Sequence, residues 1–248
     1  MLKGCPFSEE VCNIRYRKKY KQGVNLNGNN MTEKKIPTAQ QMKEYRDLRG
    51  SMTTEGDFEK VQAFENEYDI FTQVFTENGK MGVKDVLGEV LVPAEYDEIG
   101  CTFADYCRGF AVPVVREGKM ALVSPDGKGT MKTGFDYDYI VFDDCYYVLV
   151  KDGKKGLATG GGDVIIPAEM DEIYTPFNDL AAFTKDEKFG FAMIGYDLIT
   201  EPVYESYDIV TEYDYLQVVK DGVTGYINEA GEFTTDEDER FFHAACDF

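Results

Sequence analysis

Residues 77–99 read ENGKMGVKDVLGEVLVPAEYDEI, and residues 151–173 read KDGKKGLATGGGDVIIPAEMDEI. The two stretches share a Gly-Lys turn, a short apolar run, a second Gly turn, a second apolar run meeting Pro-Ala-Glu, and an Asp-Glu-Ile ending. Residues 116–140, 185–210 and 220–242 follow the same plan more loosely. Small residues align at Gly82, Ala121, Gly156, Gly190 and Gly225, with separations of 39, 35, 34 and 35. A near-constant period of this size marks a repeat architecture, in which one unit cannot bury its apolar side alone and neighbours cover one another.

Each unit parses into short strands. Strand one is expected at Val112–Val115, Val148–Val150, Ala181–Phe183 and Leu216–Val219. Dipeptides such as Asn78-Gly79, Asp152-Gly153 and Asp221-Gly222 then reverse the chain, because Asn, Asp and Gly tolerate the positive φ of a two-residue hairpin. Strand two follows at Met120–Val123, Phe189–Met193 and Gly225–Ile227, and strand three at Val90–Val92, Val164–Ile166 and Leu198–Ile199. Pro93, Pro167 and Pro202 are expected to end the pairing, since proline has no N–H for the ladder. A closing element, Tyr-Asp-x-Ile, is read at Tyr96-Asp97, Tyr137-Asp138, Met170-Asp171 and Tyr207-Asp208. Tyr68-Asp69-Ile70 matches it ahead of the first unit, and the last unit lacks it. The expected fold is all-β: about five hairpin or meander units of roughly 35 residues in an open twisted array. The alternative is a propeller closed by that first fragment.

Before the repeats the texture is helical. Thr38 and Gln41 form a capping-box pattern, Met42, Tyr45 and Leu48 share a face, and Gly50 is a natural stop. A second helix is expected from Asp57 to Glu67, with Phe58, Val61, Phe64 and Tyr68 inward. The expected organisation is a weakly ordered tail over 1–36, a helical cap over 37–67, the β-repeat domain over 68–242 and a C-terminal tail over 243–248.

These units resemble the WG repeat, a β-rich repeat of bacterial proteins running D-G-K-W-G…G…I-x-P…Y-D-x-I. Lys80-Met81-Gly82 and Pro93–Ile99 carry the resemblance best, with Lys154-Lys155-Gly156 and Pro167–Ile173 next. The chain has no Trp; Met81, Met120, Lys155, Phe189 and Thr224 stand in its place. The resemblance implies an all-β repeat fold with a binding or interaction role and no common catalytic residues.

Charge narrows the functional classes. The net charge is −20. Residues 1–50 hold 11 Lys+Arg against 5 Asp+Glu, including the basic cluster Arg15, Arg17, Lys18, Lys19 and Lys21, whereas the remaining 198 hold 15 against 41. Such a body repels nucleic acid and anionic membrane and attracts a basic protein. No apolar run is long enough to span a bilayer, and the first 20 residues lack a secretory h-region, so a cytoplasmic protein with free thiols is expected. The six cysteines, Cys5, Cys12, Cys101, Cys107, Cys145 and Cys246, match no zinc spacing. His243 is the sole imidazole and sits beside Phe241-Phe242. Acidic pairs such as Asp97/Glu98 and Asp171/Glu172 recur in the repeat, as structural or surface groups do. No catalytic residue, cofactor or metal ligand is expected.

The segment Phe135–Tyr147 interleaves aromatics with acids. Asp136, Tyr137, Asp138, Tyr139, Asp143 and Asp144 are the candidate partner-binding residues; the competing reading is a strand whose aromatics face the core while the acids face water. Gly82, Gly156, Gly190, Gly225, Pro93, Pro167, Pro202, Tyr96, Asp97, Asp171, Tyr207 and Asp208 are the candidate repeat-defining positions. The functional expectation is a non-catalytic interaction scaffold, with an immunity-type inhibitor of a basic toxin as a narrower form. A carbohydrate or cell-wall binding module and a hydrolase with an unrecognised carboxylate pair are the alternatives.

Overall fold

The structure is a computed structural model that describes residues 34–100, 109–143, 146–177, 180–194, 198–210 and 215–240. All six cysteines and His243 lie outside them. Helix α1 (Ala39–Ser51) starts at Thr38, whose hydroxyl accepts from Gln41 N–H at 3.3 Å while the Gln41 side chain accepts from Thr38 N–H at 2.9 Å. It runs one residue past Gly50. Helix α2 (Glu55–Glu67) starts two residues earlier than expected, because Thr54 caps it by accepting from Asp57 N–H. Met42, Tyr45, Val61 and Ile70 form the cap core, with Leu48 and Phe64 packed beside them. Phe58 does not join them: it is 51% exposed. It shares the first turn of α2 with the cap, where the helix faces water.

The strands are β1 (Gln73–Glu77), β2 (Lys80–Lys84), β3 (Val90–Tyr96), β4 (Glu98–Ile99), β5 (Val112–Arg116), β6 (Lys119–Val123), β7 (Tyr139–Asp143), β8 (Tyr146–Lys151), β9 (Lys154–Thr159), β10 (Val164–Met170), β11 (Glu172–Phe177), β12 (Leu180–Lys185), β13 (Lys188–Met193), β14 (Leu198–Ile199), β15 (Ser206–Val210), β16 (Tyr215–Lys220), β17 (Val223–Ile227) and β18 (Phe233–Thr234). They form five antiparallel sheets in chain order: β1–β3, β4–β6, β7–β10, β11–β14 and β15–β18. In sheet two, single bridges from Met131 to Val123 and from Tyr137 to Met120 stand in for a fourth strand. Among the described residues no strand closes these sheets into a barrel, and the open repeat array is the fold.

Two turns recur. The first joins strands one and two at residues 78–79, 117–118, 152–153, 186–187 and 221–222, with φ positive at both central residues. This is the geometry that matches strand twist in a two-residue hairpin. The second is a five-residue loop whose first residue ties down its own backbone. Asp85 N–H donates to Glu89 O, Thr159 N–H to Asp163 O and Asn228 N–H to Glu232 O.

The sheet boundaries correct two sequence expectations. Pro93 and Pro167 do not end strand three. They sit at register shifts, after which Tyr96 still pairs with Met81 and Met170 with Lys155; a bulge absorbs the missing N–H. The closing element then crosses between sheets, Tyr96 belonging to sheet one and Glu98-Ile99 opening sheet two. A Tyr-Asp step is thus a hinge. In the fourth copy the hinge is Tyr204-Glu205, where Tyr204 bridges to Phe189 and Glu205 N–H donates to Val219 O. Tyr207 and Asp208 lie inside β15, and Tyr207 takes the place of Ile99, pairing with Val218.

The cores lie between successive sheets. Val83, Val92 and Tyr96 of sheet one pack on Val112, Val114 and Val123 of sheet two. Leu122 packs with Tyr147 and Leu149 of sheet three, and Leu157 and Ile166 with Ala181 and Phe183 of sheet four. Phe191 and Tyr204 meet Leu216, Val218 and Ile227 of sheet five. Crowding by neighbouring strands of the same sheet explains the small residues of strand two. A Cβ on Gly82 would meet Val92 O at 2.5 Å and Ala94 N at 2.8 Å, and one on Gly156 would meet Ile166 O at 2.6 Å. Gly190 is covered by the Phe183 ring and Gly225 by Thr234 O and the Phe233 ring.

Candidate interaction surface

The hinge carboxylates join the whole edge of the array. Asp97 accepts from Lys80 Nζ at 2.5 Å and from Glu117 N–H at 2.8 Å, so one side chain ties the hairpin tip of sheet one to that of sheet two. Asp138 repeats the arrangement with Lys119 Nζ at 2.5 Å and Asp152 N–H at 2.7 Å. Asp171 does so with Lys154 Nζ at 2.5 Å and Asp186 N–H at 2.8 Å, and Glu205 with Lys188 Nζ at 3.4 Å and Gly222 N–H at 3.2 Å. The lysine and then the turn N–H hold Asp97, Asp138 and Asp171 below the usual carboxylate range. Asp126, in the long second turn of sheet two, is lowered to about 2 by the Thr130 hydroxyl and three backbone N–H groups.

Five hairpin tips therefore stand side by side. They carry Glu77, Glu117, Asp152, Asp186, Glu187 and Asp221, all exposed. Among the described residues these carboxylates meet no cation. The cations are spent elsewhere: besides the hinge lysines, Lys132, Lys151, Lys155 and Lys185 pair with Asp163, Asp136, Glu172 and Glu169. Arg116 lies over the Tyr96 and Phe135 rings, Lys84 over Phe75, Lys220 over Phe233, and Arg240 over Tyr215. The result is a row of negative charge on rigid turns, without ion pairs of its own among the described residues, with Lys119 and Lys154 in electrostatic reach of Asp152 and Asp186.

The acidic-aromatic segment does not form one patch. Asp138 is held in the hinge, Tyr137 is half-buried and bridged to Met120, and Tyr139 opens β7. Asp136 pairs with Lys151 at 3.6 Å, and Asp143 is exposed at the end of β7; Asp144 lies outside the described residues. The tip carboxylates were the signal missed in sequence. They could have been found by noting that an acid occupies the turn in four of the five units.

The position before the small residue faces the first strand of the next sheet. Met120 accepts from Ile140 N–H through its sulfur, Phe189 packs edge-on against Tyr207 at 5.0 Å, and Lys155 pairs with Glu172. It is the place a Trp takes in the repeat suggested by the sequence. A family model for the WG-containing repeat matches residues 156–189, from Gly156 on β9 to Phe189 on β13.

Residues 156–189 carry a WG-containing repeat. The match covers one repeat period, and the hinge and turn contacts above recur in the neighbouring units. No curated protein matches the chain. Among solved structures, Kluyveromyces lactis Hsv2 is similar at 8% identity with a TM-score of 0.29, over 66% of this chain and 59% of that one. The chain thus spans a little under two thirds of that protein's length, and the likeness is too slight to bear on role. No helix among the described residues is long and apolar enough to cross a membrane.

Proposed function

We propose that this WG-repeat chain is a non-catalytic scaffold whose hairpin-tip edge docks a basic protein. The observation that carries the reading is the division of charge along that edge. Hinge carboxylates are neutralised by lysines, while Glu117, Asp152, Asp186, Glu187 and Asp221 form no ion pair among the described residues. Rigid turns hold the charges at sheet spacing, so little backbone ordering on this side opposes the docking of a partner with matching Lys or Arg. A narrower form is an inhibitor that covers the basic site of a toxin in the cytoplasm; the acidity of the body, 41 acids against 15 bases after residue 50, supports it.

The test replaces Glu117, Asp152, Asp186 and Asp221 with Asn. Asn keeps the positive φ of the turns and removes four charges. Immobilised wild type is expected to retain basic proteins from native lysate at low salt and release them as salt rises, and the Asn variant to retain far less. Equal retention by the two, or retention indifferent to salt, would overturn the reading.

A second reading rests on one site. Tyr174 is 46% exposed, its ring 6.4 Å from Phe189, which packs on Tyr207. That platform suits the apolar face of a sugar. Glycan binding lost in Tyr174→Ala would support it, and glycan binding unchanged in that variant would remove it.

A further inference from the structure

Among the described residues, sheet one lacks a strand that the other sheets possess. In sheets two to five a first strand, β4, β7, β11 or β15, pairs with strand one. In sheet one, β1 is an edge. The fragment that sequence would place there, Tyr68-Asp69-Ile70, turns away: Tyr68 pairs in parallel with Lys35, and Ile70 is buried in the helical cap.

The edge is left chemically incomplete. In sheet two, Asp97 N–H donates to Val115 O at 2.9 Å and Gly100 N–H to Pro113 O at 2.7 Å. The equivalents of Val115 and Pro113 are Thr76 and Val74, opposite Met81 and Val83. Their N–H and C=O groups point to the empty side, since both groups of one residue point the same way in a ladder. Val74 is 39% exposed, whereas Pro113 and Val115 are buried. The hairpin N–H that a hinge carboxylate caps in the other sheets is here that of Asn78, and among the described residues nothing accepts from it.

We propose that residues 9–13 of this chain fill that place. Pro6-Phe7-Ser8-Glu9-Glu10-Val11 repeats the spacing of the fourth hinge, Pro202-Val203-Tyr204-Glu205-Ser206-Tyr207, and Glu9-Glu10-Val11 matches Asp97-Glu98-Ile99 and Asp171-Glu172-Ile173 in kind. In the register of the other sheets, Glu9 caps Asn78 N–H, Glu10 lies opposite Thr76, Val11 opposite Phe75 and Cys12 opposite Val74. The connection is easy. Lys34 sits over the Phe71 ring at 6.0 Å, two residues before β1, and about 20 residues join it to Asn13, a reach of about 60 Å when extended. The segment's following basic cluster would then lie beside an acidic body. This gives an ordered role to a stretch that sequence alone reads as a weakly ordered tail.

Amide hydrogen exchange on the full chain tests it, with Cys12→Pro as the variant that loses the N–H equivalent to that of Gly100, which donates to Pro113 O. In wild type the Val74 and Thr76 amides are expected to exchange at least about tenfold more slowly than in Cys12→Pro, while the β2 amides are equally protected in both. Fast exchange at Val74 and Thr76 in wild type would show the edge empty and overturn the proposal. Protection that survives Cys12→Pro would also overturn it, as would protection that rises with protein concentration, which would assign the edge to a second copy.

Discussion

Two substitutions read the backbone demands of single residues. Of the five two-residue turns, four place Gly second; the fourth turn has Glu187 at φ 64°. A left-handed conformation costs a residue with a Cβ about 1 kcal/mol or more, and Gly escapes that cost at some loss of unfolded-state restraint. Glu187→Gly is therefore expected to stabilise the protein by about 0.5–1 kcal/mol, read as a shift in denaturant midpoint at unchanged slope. Gly156→Ala should act in the opposite sense. Its Cβ would press on Ile166 O and on Ala168 N at 2.7 Å, both backbone atoms on the bulged strand. Relief requires the bulge to move, and a loss of about 2–3 kcal/mol is expected by the same measurement. The same substitution is already present at Ala121, where no bulged strand crosses and only single bridges pair the outer side of β6. At Gly82 and Gly156 the small residue is thus demanded by the bulge, and at Gly190 by the Phe183 ring, not by the turn before it.

At the level of the element, the hinge is the unit of construction, and it was only half legible. The period, the turns and the strand cores could be read because dipeptides such as Asp152-Gly153 and alternating apolar runs report local geometry. The function of Pro93 and Pro167 could not, because a bulge is settled by how strands one to three align, which lies beyond the local pattern. Tyr204-Glu205 was displaced by three residues for a related reason: Tyr207-Asp208 offers the same letters, and only pairing with Val218 and Val219 tells them apart. The role of Asp138 within the proposed partner-binding segment was hidden in the same way, since its lysine and its turn N–H lie in the hairpins of two successive sheets. The hinge carboxylates make an acid-side prediction. Their folded pKa values lie below the ordinary 3.8, so their stabilisation is complete above that value and is lost as pH falls through the lowered one. Replacing Asp97, Asp138 and Asp171 together with Asn keeps an acceptor for each turn N–H and removes the titration. The denaturant midpoint of wild type is expected to drop on acidification from about pH 5 to about pH 2, and that of the triple variant to drop less steeply. Equal slopes would mean that other carboxylates govern the acid limb.

For the whole molecule, the placement of the cores between sheets makes stability a sum of neighbour contacts instead of one shared interior. An inner sheet has two such interfaces. Among the described residues sheet five has one, formed where Phe191 and Tyr204 of sheet four meet Leu216 and Val218, and its far face carries Gln217, Thr224 and Tyr226, with Arg240 over the Tyr226 ring. Phe191 is fully buried and touches the rings of Tyr204 and Tyr207, at 5.7 and 5.1 Å. Phe191→Ala removes the centre of this single interface, at a cost of about 3–5 kcal/mol. In an open array that loss falls on the last described sheet: among the described residues sheet five packs on no second sheet, and it should open while the others persist. Amides of β16 and β17 are then expected to exchange rapidly in the variant, while those of β5, β6, β8 and β9 keep their wild-type protection. A ring would respond differently, because breaking one interface leaves sheet five held from its other side and exchange would rise only modestly there. A uniform rise across all five sheets would mean that the repeats unfold as one cooperative body. The pattern of exchange along the chain therefore separates the open array from both other arrangements with one substitution.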